Sequence, residues 1–347
     1  MIQTAKIGDF INTTTVLRAL REGCPHTRIH ALIHPVNEPL ARRLDTIDEV
    51  LLLPVHGFKG WRGKKWLYQL VAGRFDAVLT LSPNLATFIV PFWARIPHRI
   101  SVLPDRRKGI ARLAWPFLTS GERHLHGRLF RETALRALTG LGINISRDAL
   151  ARANEIPTAA PEALAKAVKV LPDSSATYVG LGLGAGNPMK AWPEHKLLEM
   201  VNTLIQRTGV TLVLIGTAQD QPIASALQTK FSSQRIVDTT GQWTLDELPA
   251  LLSRLALYVG VDSGVTYLAD ALGVPVIDVM GPADPEDQRP LGANAHIVAA
   301  NVPCAPCSHT FATPYVCARG DRACLTRLET VSILEPIFRQ HGKRYKS

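Results

Sequence analysis

Four stretches of this 347-residue chain combine residue types and spacing suited to chemistry. The first is Gly8-Asp9, directly after the apolar stretch Ile2-Gln3-Thr4-Ala5. Glycine permits a tight turn there, and a carboxylate at the end of a strand can serve as a general base for a hydroxyl. Aspartate also caps helix starts, so the residues alone leave base and cap open. The second stretch runs from Gly182 through Gly184, Gly186 and Lys190 to Trp192-Pro193. Glycine-rich loops after strands leave amides free for phosphate oxygens, and Lys190 adds a positive charge. No Lys-Ser or Lys-Thr pair closes the loop and its glycine spacing is not G-x-G-x-x-G, which disfavours ATP hydrolysis and a nicotinamide or flavin site. A plain strand-to-helix turn is the bland alternative.

The third stretch is Val261-Asp262-Ser263-Gly264-Val265-Thr266-Tyr267. A strand ends at Asp262, small residues turn, and a helix begins whose amides and dipole suit an anion. Asp220, shortly after Thr211–Ile215 and Gly216, stands where an acid accepts from ribose hydroxyls in nucleotide folds. Helix capping is the alternative for both aspartates. The fourth is Cys304, Cys307, Cys317 and Cys324, with Cys24 remote. An odd cysteine count without a secretory start argues against a disulfide framework. The Cys304-x-x-Cys307 spacing suits a four-thiolate zinc or iron site; free packed thiols and disulfides are the competing readings. His124 and His126, two apart on a presumed helix, would point to different sides and so make a poor ligand pair.

The elements that position these groups follow one repeating pattern: apolar strand, turn, amphipathic helix. In the first half, strands are expected at Ile2–Ala5, Ile29–Ile33, Glu49–Leu53 and Ala77–Leu81, with Lys6–Asp9 as a loop. In the second, they are expected at Tyr178–Leu183, Thr211–Ile215, Ile236–Val237, Leu257–Val261 and Val274–Met280. Helices are expected over Glu194–Thr208, Ala218–Phe231, Leu245–Arg254 and Val265–Leu272. Such alternation implies parallel sheets covered on both faces, an α/β class with doubly wound sheets whose ligands sit at the carboxyl ends of the strands. Two such domains would enclose a cleft: residues 1–155, a Pro- and Ala-rich linker over 156–176, and residues 177–347.

Composition narrows the function further. With 46% hydrophobic and 20% charged residues the chain can bury a core. The apolar run at Leu85–Trp93 contains Thr87 and Pro91 and falls short of a bilayer span. The start, Met1 to Lys6, lacks the features of a signal peptide, so a cytoplasmic setting is expected. The net charge is +10, and residues 1–150 carry all of the excess, 22 Lys and Arg against 11 Asp and Glu. That points to an anionic partner for the first half, or to a solvated basic face. No recognisable nucleic-acid module accompanies the basic residues, so nucleic acid is not an expected partner.

Taken together in order, Ile7-Gly8-Asp9-Phe10-Ile11-Asn12-Thr13-Thr14 with Leu17-Arg18-Ala19-Leu20, the Lys190-Ala191-Trp192-Pro193 loop, Thr240-Gly241 with Leu245, and Asp262-Ser263-Gly264 resemble the bacterial heptosyltransferases of glycosyltransferase family nine. The resemblance spans nearly the whole chain. It implies a GT-B fold of two Rossmann-like domains, with acceptor on the first and an ADP-sugar on the second, and an inverting reaction that requires no cofactor for catalysis. It further implies Asp9 as general base, Lys190 at the donor phosphates and Asp220 at the ribose. Trp243 would lie against adenine, and Asp262, Ser263 and Gly264, with Gly184, Gly186 and Thr266 nearby, at the diphosphate and sugar. Tyr267 departs from a frequent His and Thr15 from a frequent Pro, and the first strand begins almost at Gln3 and is short. His124 falls where the family often has a histidine.

The acceptor implied is an anionic lipopolysaccharide inner core, met at the cytoplasmic face of the inner membrane, with Thr13, Thr14, Arg62, Lys64, Lys65, Arg106, Arg107 and Lys108 as contacts. Some transferases of the group carry a cysteine-rich loop, and a subset acting on proteins holds iron in it; a metal here would be structural. Alternatives are a family-nine transferase using another nucleotide sugar or a protein acceptor, and a non-catalytic basic module binding nucleic acid or anionic membrane.

Overall fold

In the computed structural model, the short apolar runs become parallel strands covered by helices. The structure describes residues 1–105, 114–207, 209–231 and 235–341, so Arg106, Arg107 and Lys108 lie outside the described residues. The chain divides into two compact units, Met1–Pro157 and Thr158–Ser347. The first holds β1 (Ile2–Gln3), β2 (His30–Ile33), β3 (Glu49–Leu52), β4 (Ala77–Thr80), β5 (His98–Leu103) and β6 (Ser120–Arg123), in the order β3-β2-β1-β4-β5-β6. The second holds β7 (Tyr178–Gly182), β8 (Thr211–Ile215), β9 (Ile236–Asp238), β10 (Leu257–Val261), β11 (Val276–Val279) and β12 (Ala295–Val298), ordered β12-β11-β10-β7-β8-β9. Each sheet is parallel throughout and reverses its strand order once, between β1 and β4 and between β7 and β10. Both are Rossmann-like, and that reversal is where such sheets bind ligands, beyond the carboxyl ends of the strands.

Alternation along the second sheet separates an apolar face from a polar one. Val179, Leu181, Leu212, Leu214, Val259, Val261, Ile277 and Val279 join one core with Leu197, Met200, Val201 and Leu204 of the Glu194–Arg207 helix. Ile333, Leu334 and Ile337 of the Thr330–His341 helix pack into the same core. The opposite face presents Gly180, Gly182, Tyr258, Gly260 and Asp278, with Gly260 registered beside Asp278 across β10 and β11. In the first unit, Ile2, Leu32 and Val78 of the sheet pack against Leu67 and Val71 of the Gly60–Val71 helix and Ala86 and Val90 of the Leu85–Trp93 helix.

Several elements differ from expectation. Lys6–Asp9 is not a loop: a helix runs from Ile7 to Asn12, closed by Phe10 N–H donating to the Lys6 carbonyl at 3.1 Å, because Phe10 and Ile11 must be buried. Ala218–Phe231 breaks into a 3₁₀ turn at Ala218–Asp220 and a helix from Gln221, and the helix expected over Leu245–Arg254 contracts to Leu248–Leu252. The segment 156–176 holds one short helix, Pro161–Val170, in keeping with a connection of that composition, but its Ala163 and Ala167 pack on Ala250, so most of the segment joins the second unit. His124 and His126 follow β6 outside any helix. His124 is buried, with Nδ1 2.9 Å from Thr133 Oγ1 and its ring edge-on to Phe130.

Candidate active site

In the second unit, the loops after β7 and β10 meet at the strand-order reversal. The β7 loop is anchored at both sides: Trp192 Nε1 donates to the Gly182 carbonyl at 2.8 Å, and Asn187 Nδ2 to the Pro314 carbonyl at 2.9 Å. Those anchors aim Lys190 at the end of β10, where its ammonium donates to Asp262 Oδ2. The other oxygen of Asp262 accepts from the Tyr267 hydroxyl at 2.9 Å. The pair is enclosed, with side chains 19% (Lys190) and 7% (Asp262) exposed. Ser263 then opens the Gly264–Ala271 helix in extended conformation, with no side-chain cap on the first-turn amides. A cation beside helix-start amides and the positive end of a helix dipole form a receptor for a diphosphate.

Gly184 and Asp220 lie together. A Cβ on Gly184 would stand 2.5 Å from Asp220 Oδ1, so only glycine lets the loop approach that carboxylate. Asp220 Oδ2 accepts from Thr217 N and Oγ1 at 2.7 and 2.9 Å, so the cap is formed by this oxygen. Gly186 is exposed in the same loop. Thr266 is a different case: it is fully buried, its hydroxyl donating to the Val261 carbonyl at 2.6 Å, and it braces the helix start rather than facing a ligand. Trp243 packs against the Pro161–Val170 helix of the second unit. Its ring packs with Ala163, Ala167 and Ala250, and Lys166 Nζ sits 4.4 Å from its centroid, so one face of the indole is already occupied.

Sequence reasoning missed what lies beneath the Lys190–Asp262 pair. Asp278, in the middle of β11, is 0% exposed, and neither carboxyl oxygen has a hydrogen-bond partner. Burial, then the negative charge of Asp262, push its carboxyl well above the usual carboxylate range. Tyr258 lies alongside, its phenol also pushed up by burial, with hydroxyl bonds to Thr266 and Ser263. A signal was present: an acid inside Val274-Pro275-Val276-Ile277-Asp278-Val279 contradicts a strand buried on both faces.

In the first unit, Asp9 is half-buried in the first turn of the Ile7–Asn12 helix, just beyond the carboxyl end of β1. Thr13 and Thr14 follow, but both are buried and donate to the Phe10 and Ile11 carbonyls at 2.7 and 2.8 Å. They close the turn between two helices rather than offering hydroxyls to an acceptor. Arg62 and Lys65 are exposed on the Gly60–Val71 helix and Lys64 is half-buried there.

The four clustered cysteines are all free thiols. Cys304 and Cys324 pack on the second unit's core. Burial pushes the Cys324 thiol up to about 11, and the charges of Cys307, Cys304 and Cys317 all act in the same direction. Backbone N–H groups of Arg322, Arg319 and Gly320 pull the Cys317 thiol down. The four thiols thus share one neighbourhood, although among the described residues no three of their sulfurs lie within 4.8 Å of one another.

Comparison with known proteins supplies the family. The model of glycosyltransferase family 9 (heptosyltransferase) matches residues 64–314. The chain belongs to glycosyltransferase family 9. The family member is 24% identical over 305 residues to lipopolysaccharide heptosyltransferase 2 of Salmonella typhimurium, covering 84% of this chain and 85% of that protein. Its structure resembles E. coli ADP-heptose lps heptosyltransferase II, with a TM-score of 0.72 at 19% identity over 99% of this chain and 98% of that one. It also resembles E. coli heptosyltransferase WaaC with ADP, with a TM-score of 0.67 at 17% identity over 97% and 98%. The chain is therefore a glycosyltransferase with the α/β architecture of the GT-B heptosyltransferases.

Proposed function

We propose that this transferase moves heptose from ADP-heptose to an inner-core sugar of lipopolysaccharide, with inversion at the anomeric carbon. The observation that carries the donor half is the Lys190–Asp262 pair beside an uncapped helix start at the reversal of the second sheet. Lys190 and the amides from Gly264 stabilise charge on the departing diphosphate, a contribution that preorganised groups deliver without rearrangement. Gly184 and Gly186 give the loop its close approach, and Asp220 keeps Oδ1 toward that loop for a ribose hydroxyl. Asp9 takes the proton of the acceptor hydroxyl as that oxygen bonds to the anomeric carbon and the bond to the diphosphate oxygen breaks.

The names of the similar proteins support an ADP-sugar donor and a lipopolysaccharide acceptor. The first unit supports an anionic acceptor near a bilayer. Arg62 and Lys65 stand exposed beside Trp61 and Tyr68 on one helix, with Phe92 and Trp93 exposed on the neighbouring one. Basic residues interleaved with aromatic ones suit an anionic membrane surface. No helix among the described residues is long and apolar enough to cross a membrane, and peripheral contact with the inner leaflet is the reading adopted.

Thermal unfolding of the purified protein with ADP, UDP, GDP, NAD and ADP-heptose in parallel tests the donor. A ligand at about 100 times its dissociation constant adds roughly 2.7 kcal/mol. Selective stabilisation by ADP and ADP-heptose is expected; a response to UDP or GDP instead would keep the fold and discard heptose.

The cysteines support a second, separate role. Neighbouring cysteines help to push up the Cys307 and Cys324 thiols, a cost that a shared cation would remove, and Cys317 already accepts the backbone N–H bonds that favour a thiolate. Cys304, Cys307, Cys317 and Cys324 would hold one structural zinc or iron. Elemental analysis of protein purified without chelator should find about one such ion per chain, as expected of a tetrathiolate site; none would remove the site.

A further inference from the structure

Asp278 has no assigned task, and its surroundings are unusual. It sits in the middle of β11 of a parallel sheet, 0% exposed, with both oxygens lacking partners. An ionised carboxylate so placed has neither water nor donors to offset its charge, which makes the neutral acid the stable form. A neutral carboxyl is a hydrogen-bond donor. The acceptor available to it is on its own sheet face: Gly260 is its register partner on β10, and Asp262 follows Gly260 by two residues, diagonal to it.

The groups around Asp278 are few. β10 supplies Asp262 and Tyr258, the Gly264–Ala271 helix supplies Asp270, and the loop after β7 supplies Lys190. Asp270 is itself engaged by the amides of Leu291 and Gly292 at 3.0 and 2.9 Å. His296 of β12 is registered with Ile277 and so belongs to the opposite face. The Thr330–His341 helix also packs on that opposite face, through Ile333, Leu334 and Ile337. Among the described residues, Lys190 is thus the one cation that acts on the two adjacent carboxyl groups, and Asp262 holds it.

We propose that Asp278 is a positioning residue for the donor site, whose O–H bonds to Asp262 when Lys190 turns from Asp262 to the donor's diphosphate. The inference rests on the nucleotide-sugar reading above and deepens it. Without such a donor, moving the Lys190 ammonium would leave the enclosed Asp262, among the described residues, with only the Tyr267 hydroxyl. With it, the carboxylate keeps two donors in both states, and the lysine is released at lower cost. When the Asp278 proton is lost, two adjacent carboxylates compete with the diphosphate for one ammonium. Diphosphate affinity then falls.

The test is ADP affinity, measured by titration calorimetry between pH 6 and 9 on the wild type, Asp278→Asn and Asp278→Val, each confirmed folded by its thermal unfolding. Asparagine keeps a donor that cannot ionise; valine removes it. Asp278→Val should weaken ADP about tenfold or more at every pH. Asp278→Asn should stay within about threefold of the wild type at pH 6 and lose less affinity than the wild type as the pH rises. A merely structural aspartate would make the two variants weaken ADP alike, and that result overturns the proposal, as does wild-type affinity in the valine variant. A wild type that binds no ADP refutes the nucleotide reading itself, and this inference with it.

Discussion

Replacing Lys190 by methionine preserves most of the side-chain volume and removes the charge, leaving Asp262 enclosed with one hydroxyl partner and a buried carboxyl beneath it. Removing one member of a buried ion pair costs about 3–5 kcal/mol, because the remaining charge loses its compensation. The low exposure of both side chains places Lys190→Met in that range rather than in the 0–1 kcal/mol range of surface pairs. For a unit of this size, such a loss lowers the melting temperature by roughly 6–20 °C. Asp262→Asn added to Lys190→Met removes the stranded charge and should recover about 1–3 kcal/mol. Thermal and urea unfolding of wild type, both single variants and the double variant measure the full cycle. A loss below about 1 kcal/mol for Lys190→Met, typical of exposed pairs, or a double variant no more stable than Lys190→Met, would refute the buried-pair reasoning.

Asp9→Asn should lower kcat by about 10²–10⁴-fold while ADP binding is retained, since positioned proton transfer contributes on that order; unchanged turnover would remove the general-base role. Gly182→Ala places a Cβ 2.1 Å from the Tyr258 hydroxyl, and such overpacking costs typically 1–3 kcal/mol. Tyr258→Phe in the same chain should return part of that stability in urea unfolding. Asp278, raised in the folded state, makes the wild type lose stability relative to Asp278→Asn as pH climbs above about 4. Parallel melts from pH 4 to 8 read that slope, and a constant difference would show that Asp278 does not titrate differently on folding.

Much of the architecture was legible because buried parallel strands announce themselves as apolar runs. Thr211–Ile215 and Leu257–Val261 match their expected bounds, and several others fall within a residue or two. β6, Ser120–Arg123, was not legible: it is an edge strand of polar residues, held by pairing with β5 rather than by an apolar pattern of its own. β12 is likewise an edge strand. At the site, Lys190 and Asp262 could be named from their loops, because glycine spacing and a strand-end acid are local signals. Their contact spans 72 residues and could not be read from either stretch. The burial of Thr13, Thr14 and Thr266 depends on long-range packing that leaves no mark on a threonine in sequence. The packing of Trp243 is equally unreadable in sequence, since an indole serves equally to stack on a base or to cover a helix.

The tyrosine lying in its glycine trough on the second sheet also limits how this chain can change. A Cβ on Gly182 or Gly260 would meet the Tyr258 side chain at 2.1 or 2.6 Å, so each glycine tolerates replacement only after the ring has shrunk. Shrinking the ring first leaves a void beneath three residues without side chains, since Gly180 borders the same trough. Every single step away from this arrangement therefore passes through a less stable chain, whichever position moves first. The four positions behave as one inherited block, and grafting part of it into another scaffold would carry over the penalty of both halves and the benefit of neither.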